Sequence, residues 1–419
     1  MNAHTPTDSA DVIVVGAGPA GSSAALHLAK AGLDVLLLEK SEFPRDKICG
    51  DGLTPRAVQE LALMGIDVSK LDWKRTKGLR MHVGRALYHA EWPDLTDFPP
   101  FGMTVKRKVL DQFLVEQAVA ASARLRTNTT VQAPLVRRNR VVGVTTKDGL
   151  AFEAPVVVAA DGSSARLAVA MGVHRMPSRP LGLAIRTYFT SPMSEDDWLD
   201  SWLELWDGEP NRSHLLPGYG WSFPLADGTC NVGVGLPDTK HYPNMNYRQL
   251  LSQWLKTMPP SWGFTPENQV VPIRGGALPM GMNRKPIYLR GMLLTGDAAG
   301  LVNPFTGEGI SYAMQSGRYA AEHIVEARAR GFHTRSAERA LNQYAEHISC
   351  ALGSYYRMGR LFGWFISHPW VMRLSAHYGL AFPPLRMLTH RLLSDLTDSP
   401  SHDGYDRVIH ALEKITPRF

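Results

Sequence analysis

The chain reads as an α/β protein (α+β overall) built around a Rossmann-type nucleotide-binding domain, with an antiparallel-sheet substrate domain and a C-terminal helical segment. Three observations predict this. Strand, glycine turn, helix and a second strand ending in an acid succeed one another between Asp11 and Lys40. A second strand–loop–helix with its own glycine–aspartate pair follows near Gly296. Between the two lie short strand-like segments, one of them aromatic at every second residue, and after them come long stretches of helical periodicity.

Bulk properties narrow the class. The 419 residues, 44% of them hydrophobic, supply a large core and suggest two or three domains. The net charge of +6 is spread along the chain, and neither a zinc finger nor an RNA-binding aromatic motif occurs, so no nucleic-acid partner is expected. Cys49, Cys230 and Cys350 are far apart and form neither a CxxC pair nor a metal-ligand cluster, which fits a reducing cytoplasm with no metal. The first ten residues, MNAHTPTDSA, are polar and lack the apolar run of a secretory signal. No uncharged apolar stretch of about eighteen residues is present to span a bilayer. The expected location is the cytoplasm, with peripheral contact at the cytoplasmic membrane left open.

Residues 11–15, DVIVV, have the β-branched composition of a buried parallel strand. GAGPAG follows, then an alanine-rich helix that stops at Gly32, where a left-handed residue is expected. Gly16 permits the tight turn, Gly18 lets backbone approach a pyrophosphate, and Gly21 lets helix and strand pack closely. Pro19 and Ala20 open the helix whose N-terminus faces the phosphates. The next strand, DVLLLEK, ends at Glu39, placed to accept hydrogen bonds from ribose hydroxyls, with Lys40 beside it. Val131 is a further cofactor-side candidate.

Which dinucleotide this is depends on the segment 288–320. There the strand MLLT leads into Gly296 and Asp297, and a loop with Pro304, Gly307 and Gly309 opens a helix at about Ile310. This resembles the distal motif of the glutathione-reductase-type flavoproteins. That resemblance implies FAD, with Asp297 on its ribitol and the helix N-terminus toward the flavin edge that becomes negative on reduction. PVVVAADGSSAR (155–166) resembles the Asp-Gly motif of aromatic hydroxylases and their relatives, carried here by Asp161 and Gly162; in those relatives the following Ser and Arg stand farther downstream than Ser164 and Arg166. No second GxGxxG occurs, so no separate nicotinamide domain is expected.

KICGDGLTPRAVQEL (47–61) and PGYGWSFPLADGTCNVGVGL (217–236) resemble the CGDGL and YxWxFP…NVGVG stretches of the geranylgeranyl reductase family of FAD-dependent oxidoreductases. The order of motifs agrees from about Asp11 to Ile324, and the chain looks like the actinobacterial menaquinone reductases within that family. The resemblance implies that Cys49, Gly50 and Gly52 lie against the flavin ring and that Arg107 contacts the cofactor. Taken from the residues alone, Cys49 is as readily a small buried hydrophobe, and Arg107 a solvated residue at a helix start. Strand alternation puts Tyr219, Trp221 and Phe223 on one face, as an aromatic floor for an apolar substrate or as sheet core. Trp198, Trp202 and Trp206 read better as packing.

The expected division is FAD-binding residues 1–78, 105–176 and 276–328, substrate-domain residues 79–104 and 177–275, and a C-terminal helical domain over 329–419. From Tyr355 the text is aromatic and basic together, with Arg357, Arg360, Arg373, Arg386 and Arg391. It fits a membrane-surface helix, a cap over an apolar tunnel, or core helices with snorkelling arginines. The implied activity is saturation of C=C bonds in a polyprenyl chain, of menaquinone-tail or geranylgeranyl-lipid type, by hydride from reduced flavin. Cys49, Tyr219 and Trp221 are the candidate catalytic residues, and electrons come from NADPH or from a separate reductase or ferredoxin. The alternatives are an FAD-dependent monooxygenase or halogenase, for which Lys77 lacks a supporting motif, and a non-catalytic flavin- and lipid-binding protein.

Overall fold

The computed structural model describes residues 8–237, 245–366 and 368–416; the first seven residues of the polar N-terminus and Ser367 in the aromatic and basic run fall outside them. The first sheet has six strands in the order Tyr288–Leu289, Met292–Leu294, Val156–Ala159, Val12–Val15, Val35–Leu38 and Arg124–Arg126. All its pairings are parallel except the outermost, Tyr288–Leu289 with Met292–Leu294. Every residue of the four central strands is buried, as expected of a parallel sheet covered on both faces.

Helix Pro19–Lys30 begins with Pro in its first turn and ends at Gly32, whose φ of +79° gives the left-handed stop that the sequence predicts. It packs on helix Ile310–Ala329 so closely that a Cβ on Gly317 would lie 2.3 Å from the Ala20 carbonyl oxygen. Small residues at this crossing bring the two nucleotide-side motifs together, although about three hundred residues separate them.

A seven-stranded sheet stands beside this core in the order Arg274–Pro279, Leu181–Thr190, Thr229–Pro237, Tyr219–Pro224, Trp198–Trp202, Gly78–Val83 and Ala86–Glu91. It is antiparallel except where Trp198–Trp202 pairs in parallel with Gly78–Val83. One face is closed by helix Tyr247–Leu255 through Ile185, Phe189, Val232, Val234, Leu251 and Trp254. The other face bounds a cavity. Smaller sheets complete the frame: Gly52–Leu53 with Gly102–Thr104 and Lys74–Thr76, and a four-stranded sheet around Arg140–Thr146.

C-terminal helices Arg335–Ile366, Pro369–Leu374, Pro383–Ser394 and Gly404–Ile415 close over the two sheets. Tyr344 and Tyr356 tie the first of these down by donating to the carbonyls of Leu294 and Leu301. We propose the six-part division given above with its last crossing moved to about Pro279, since Arg274–Pro279 stays paired with Leu181–Arg186 to its end.

The tightest point of the nucleotide-side core makes a direct test. A Cβ on Gly21 would lie 1.8 Å from the Gly16 carbonyl oxygen, with backbone that cannot swing aside. Gly21→Ala is expected to destabilise the protein by about 3 kcal/mol or more, measured as a lower midpoint in thermal or urea unfolding.

Candidate active site

The glycine turn separates two kinds of requirement. Gly16 has φ +96°, and a Cβ there would meet the Ala160 carbonyl oxygen at 2.4 Å, so Gly16 and Gly21 are glycine because the protein itself fills the space. Gly18 is not: it is extended, and the atoms nearest a Cβ would be Nη2 of Arg45 at 3.8 Å and Nη2 of Arg107 at 3.9 Å. The backbone there fronts open cavity and is flanked by two cations.

Those cations are braced. Asp111 accepts from Arg107 at 2.8 and 2.9 Å and from Arg45 at 2.9 Å, and Arg45 also pairs with Glu39 at 3.2 Å. Glu39 accepts the Ala17 N–H at 2.9 Å and the Ser41 N–H at 3.2 Å, so it holds the turn while it lines the cavity. Oε2 is filled by the Ala17 N–H and Arg45, and Oε1 keeps a lone pair for a hydroxyl donor.

Two aspartates approach from other strands. Asp297 follows Gly296 (φ +53°) and stands 4.0 Å from Nζ of Lys47, beside the uncapped N-terminus of helix Ile310–Ala329. That helix has no acidic residue in its first turn, so its free N–H groups favour a ligand edge that gains negative charge. Asp161 accepts the Leu167 N–H through Oδ2, while its Oδ1 is buried without a partner. Burial pushes the Asp161 carboxyl above its ordinary value, against backbone hydrogen bonds that lower it. Gly162, with φ +72°, lines the cavity beside it. Ser164 turns back onto the Asp161 carbonyl, and Arg166 lines the cavity at the start of its helix.

The cavity holds about 1560 Å³, more than the roughly 300–1,000 Å³ of a site for one drug-sized ligand. It runs from the glycine turn across the open face of the seven-stranded sheet. Alternation sets Gly182, Ala184 and Arg186 on that face, with Gly233 and Gly235, then Tyr219, Trp221 and Phe223, then Leu199, Ser201 and Leu203 on neighbouring strands. The glycines admit the aromatic rings: a Cβ on Gly233 would lie 2.3 Å from the Trp221 indole, and one on Gly50 or Gly52 would lie 3.3 Å from Phe223.

The loop 47–53 is fastened to this sheet by polar bonds. Asp51, fully buried and at φ +66°, accepts from the Tyr188 hydroxyl at 2.6 Å, the Asn231 amide at 2.8 Å and the Arg107 N–H at 3.1 Å. Asn231 also donates to the Cys49 carbonyl at 2.8 Å and accepts the Trp221 indole N–H at 2.9 Å. Burial lifts Asp51 to about 6, with the Tyr188 and Asn231 bonds opposing it. Burial likewise raises the Cys49 thiol, and the Arg107 charge acts the other way, so the thiol is protonated at neutral pH. Glu308, in the wall of the cavity, accepts from Thr54 at 3.1 Å, and burial raises its carboxyl too.

Of the residues singled out from sequence, Gly16, Gly18, Pro19, Ala20, Glu39, Lys40, Cys49, Gly50, Gly52, Arg107, Val131, Asp161, Gly162, Tyr219, Trp221, Asp297, Gly307, Gly309 and Ile310 meet at this one cavity. Gly21 and Gly296 stand behind its wall: Gly21 serves packing, and Gly296 donates its N–H to Ser316 at 2.9 Å. Arg107 is 7% exposed and doubly paired, not a solvated helix-start residue. Trp198, Trp202 and Trp206 lie off the cavity; Trp202 stacks on His82 at 4.1 Å and meets Trp254 edge-on. Sequence reading missed Asp51, Tyr188, Arg186, Asn231 and Glu308. For Asp51 and Asn231 the signal was present, since each sits inside a quoted motif, but the partner was not visible. Tyr188 and Arg186 carry no local signal.

A dinucleotide fits these residues. Gly18 offers backbone and two arginines to a pyrophosphate, Asp161 has an unused buried oxygen, and the space continues beyond the nucleotide region over an apolar floor.

The known proteins most informative here agree with one another. The model of the FAD binding domain family matches residues 9–231. A menaquinone reductase of Mycobacterium tuberculosis is 41% identical over 319 residues, 75% of this chain and 76% of that protein. The menaquinone reductase of Mycolicibacterium smegmatis is 34% identical over 402 residues, 95% of each. A digeranylgeranylglycerophospholipid reductase of Methanopyrus kandleri is 30% identical over 361 residues, 81% of this chain and 88% of that one. Among solved structures, a geranylgeranyl bacteriochlorophyll reductase-like protein of Thermoplasma acidophilum superposes with a TM-score of 0.74 at 21% identity, covering 96% of each chain. A flavin-dependent brominase superposes with 0.73 at 20% identity, covering 97% of this chain and 98% of that one. At these identities the structural likenesses show a shared fold.

Two substitutions probe the site. Gly18→Ala has room in the fold but fills the space before the arginines, so FAD affinity is expected to fall by about tenfold or more with the unfolding midpoint nearly unchanged, read by flavin fluorescence. Asn231→Ala strands the Trp221 N–H and removes a donor from Asp51; a loss of about 2–4 kcal/mol in unfolding free energy is expected. Because the folded value of Asp51 is raised, its stabilising contribution is full below 3.8 and is lost as the pH climbs through about 6.

Proposed function

We infer the function from one premise: this chain belongs to the geranylgeranyl reductase family of FAD-dependent oxidoreductases, as its FAD binding domain and its reductase relatives show. It is an FAD-dependent oxidoreductase. We propose that it saturates C=C bonds in a polyprenyl chain, of the menaquinone-tail or geranylgeranyl-lipid type. The observation that carries this is a single cavity, continuous from the glycine turn to an apolar, aromatic-walled floor and too large for the nucleotide's phosphates and ribose alone.

Reduced FAD, when bound, supplies the hydride. An isolated alkene has no carbonyl to take up charge, so the neighbouring carbon needs a proton. We assign that proton to the Cys49 thiol. Burial keeps it protonated, and Arg107 together with the Asp51 N–H, 3.4 Å from Sγ, steadies the thiolate left behind. Glu308 stands in the same wall, its carboxyl raised by burial. Tyr219 and Trp221 are assigned to positioning: the Tyr219 hydroxyl donates to the Thr306 carbonyl at 2.6 Å, and the Trp221 N–H donates to Asn231, so neither proton is free. Gly16, Gly18, Arg45, Arg107, Asp161 and Asp297 are the residues we assign to holding FAD, with Glu39 on the ribose.

Two further parts of the reading rest on the surface. With one dinucleotide turn in the chain, the electrons are supplied by NADPH or by a separate reductase or ferredoxin. Trp370, Leu374, Tyr378, Phe382 and Leu385 are exposed large apolar residues within one short stretch, and Val371 and Leu380 from the same stretch line the cavity. We propose that this stretch rests on a membrane surface and admits the lipid chain. Among the described residues no helix is long and apolar enough to cross a membrane. Arg391 takes no part, being buried against Asp403 and Asp406. Oxygen chemistry is the weaker reading: Lys77 lies 65% exposed against Asp197, away from the cavity.

The test is dithionite-reduced protein mixed without oxygen with menaquinone or a geranylgeranyl lipid. A mass gain of about two hydrogens per double bond is expected. No gain on any prenyl substrate, with NADPH consumed only when oxygen is present, overturns the proposal. Cys49→Ala should keep FAD and slow reduction by about 10²-fold or more. The wild-type rate should fall as the pH rises through the raised thiol value, a limb the variant lacks.

A further inference from the structure

Two arginines stand at one edge of the cavity, with a third behind them, and lack the ion pairs that hold the other arginines of the site. Arg179 belongs to the turn 176–180, and Arg357 and Arg360 to helix Arg335–Ile366. Arg179 and Arg360 line the cavity next to Pro180, Met280 and Phe362. Among the described residues none of the three forms an ion pair, in contrast to Arg45, Arg56, Arg107, Arg318 and Arg391. Arg360 bonds through Nη1 to the Gly281 carbonyl at 3.2 Å; Arg357 bonds Ser354, and its Nε is buried without a partner among the described residues.

The backbone that presents them is rigid. Met176 N–H donates to the Asn283 carbonyl at 2.8 Å, and the Asn283 amide donates to the Pro180 carbonyl at 3.3 Å, so the turn 176–180 is clamped on the strap 280–284. Gly281 lies between the turn and the helix: a Cβ there would be 3.4 Å from both Pro180 and the Arg360 chain. That strap also carries Arg284, 3% exposed with its Nε unpartnered, beside Arg175. The electrical consequence agrees with the geometry. Arg360 is lowered to about 10, by burial and by the charges of Arg179 and Arg357, and Arg284 is lowered by burial and by Arg175, with Asp161 opposing. Glu413 bears on Arg357 without an ion pair, and burial raises it to about 7, so it neutralises the group only in part.

We propose that Arg179 and Arg360, backed by the charge of Arg357, form a binding site for a phosphate or diphosphate group at the cavity edge, separate from the Gly18 region assigned to the flavin nucleotide. Forked guanidinium donors in a cavity wall with no ion pair of their own suit a multivalent oxyanion, and the repulsion between neighbouring arginines is relieved when one binds. The apolar wall beside them suits a molecule with an anionic head and an apolar or aromatic body. Two sources have this chemistry: a prenyl diphosphate head and the phosphates of a nicotinamide dinucleotide donor. The inference deepens the reading of this cavity given above, but anion binding does not depend on turnover.

The experiment uses FAD-loaded full-length protein, so the flavin's own phosphate region is filled, with inorganic pyrophosphate as the probe in titration calorimetry. Saturable binding that weakens with added salt is expected, with loss of about tenfold or more in Arg360→Met and Arg179→Met and recovery in Arg360→Lys. Flavin absorbance certifies each variant as loaded, and Arg179→Met, on a surface turn, carries the test if the helix variant does not fold. Competition assigns the source: a nicotinamide dinucleotide but not its nucleoside, or a prenyl diphosphate but not its alcohol. Absence of pyrophosphate binding to the loaded wild type, equal affinity in both loaded variants, or no competition by either class overturns the proposal. Failure of alkene reduction with pyrophosphate binding intact would overturn only the reductase reading.

Discussion

A carboxylate with no access to water, Asp51, joins three parts of the chain, and the shape of the cavity follows from its bonds. Tyr188 and Asn231, which donate to it, lie 137 and 180 positions away on adjacent strands of the seven-stranded sheet. The third donor is the backbone N–H of Arg107, at the start of the helix whose side chain faces the glycine turn. Burying such a group is unfavourable unless its oxygens are satisfied, so the loop 47–53, the sheet and that helix hold their relative positions together. Removing a donor therefore disturbs the nucleotide side and the substrate side of the cavity at once.

The two sides are built on opposite physical terms. On the nucleotide side, Glu39, Arg45, Asp111 and Arg107 alternate in sign, and each is fixed by a charge-assisted bond. Such a chain holds its geometry, and it leaves Nη2 atoms of both arginines near Gly18. On the sheet side, glycines at 182, 233 and 235 lower the floor, and Trp221 lies across the gap with its indole N–H tied to Asn231. An aromatic ring fixed at its polar end presents a firm apolar face. Cys49 stands at the junction, where burial favours the neutral thiol and Arg107 limits the cost of losing the proton.

The same contrast marks the C-terminal helices. Tyr344 and Tyr356 donate to carbonyls of the core and Tyr355 to the Leu392 carbonyl of helix Pro383–Ser394, which holds the long helix down, whereas Trp370, Leu374, Tyr378, Phe382 and Leu385 are exposed. Arginines divide accordingly: Arg391 is neutralised within the helical layer, while Arg360 meets the cavity edge without an ion pair among the described residues.

Local backbone demands were legible in the sequence, because they restrict residue type at the position itself. Gly16 and Gly21 answer to close approach, Gly32 and Gly307 to positive φ, and the apolar strands 12–15 and 156–159 to burial on both faces. These sufficed for the Rossmann unit, and a resemblance carried by short motifs pointed on to FAD and a reductase. Long-range choices were not legible. That Asn231 serves Trp221, Cys49 and Asp51 together and that Arg107 is buried and not solvated follow from strand register and from which face each strand turns inward. Likewise, nothing near Arg179 in the chain announces Arg360. Glycine records a backbone's own constraint, but a buried polar group is defined by its partners, and only the tertiary structure chooses those.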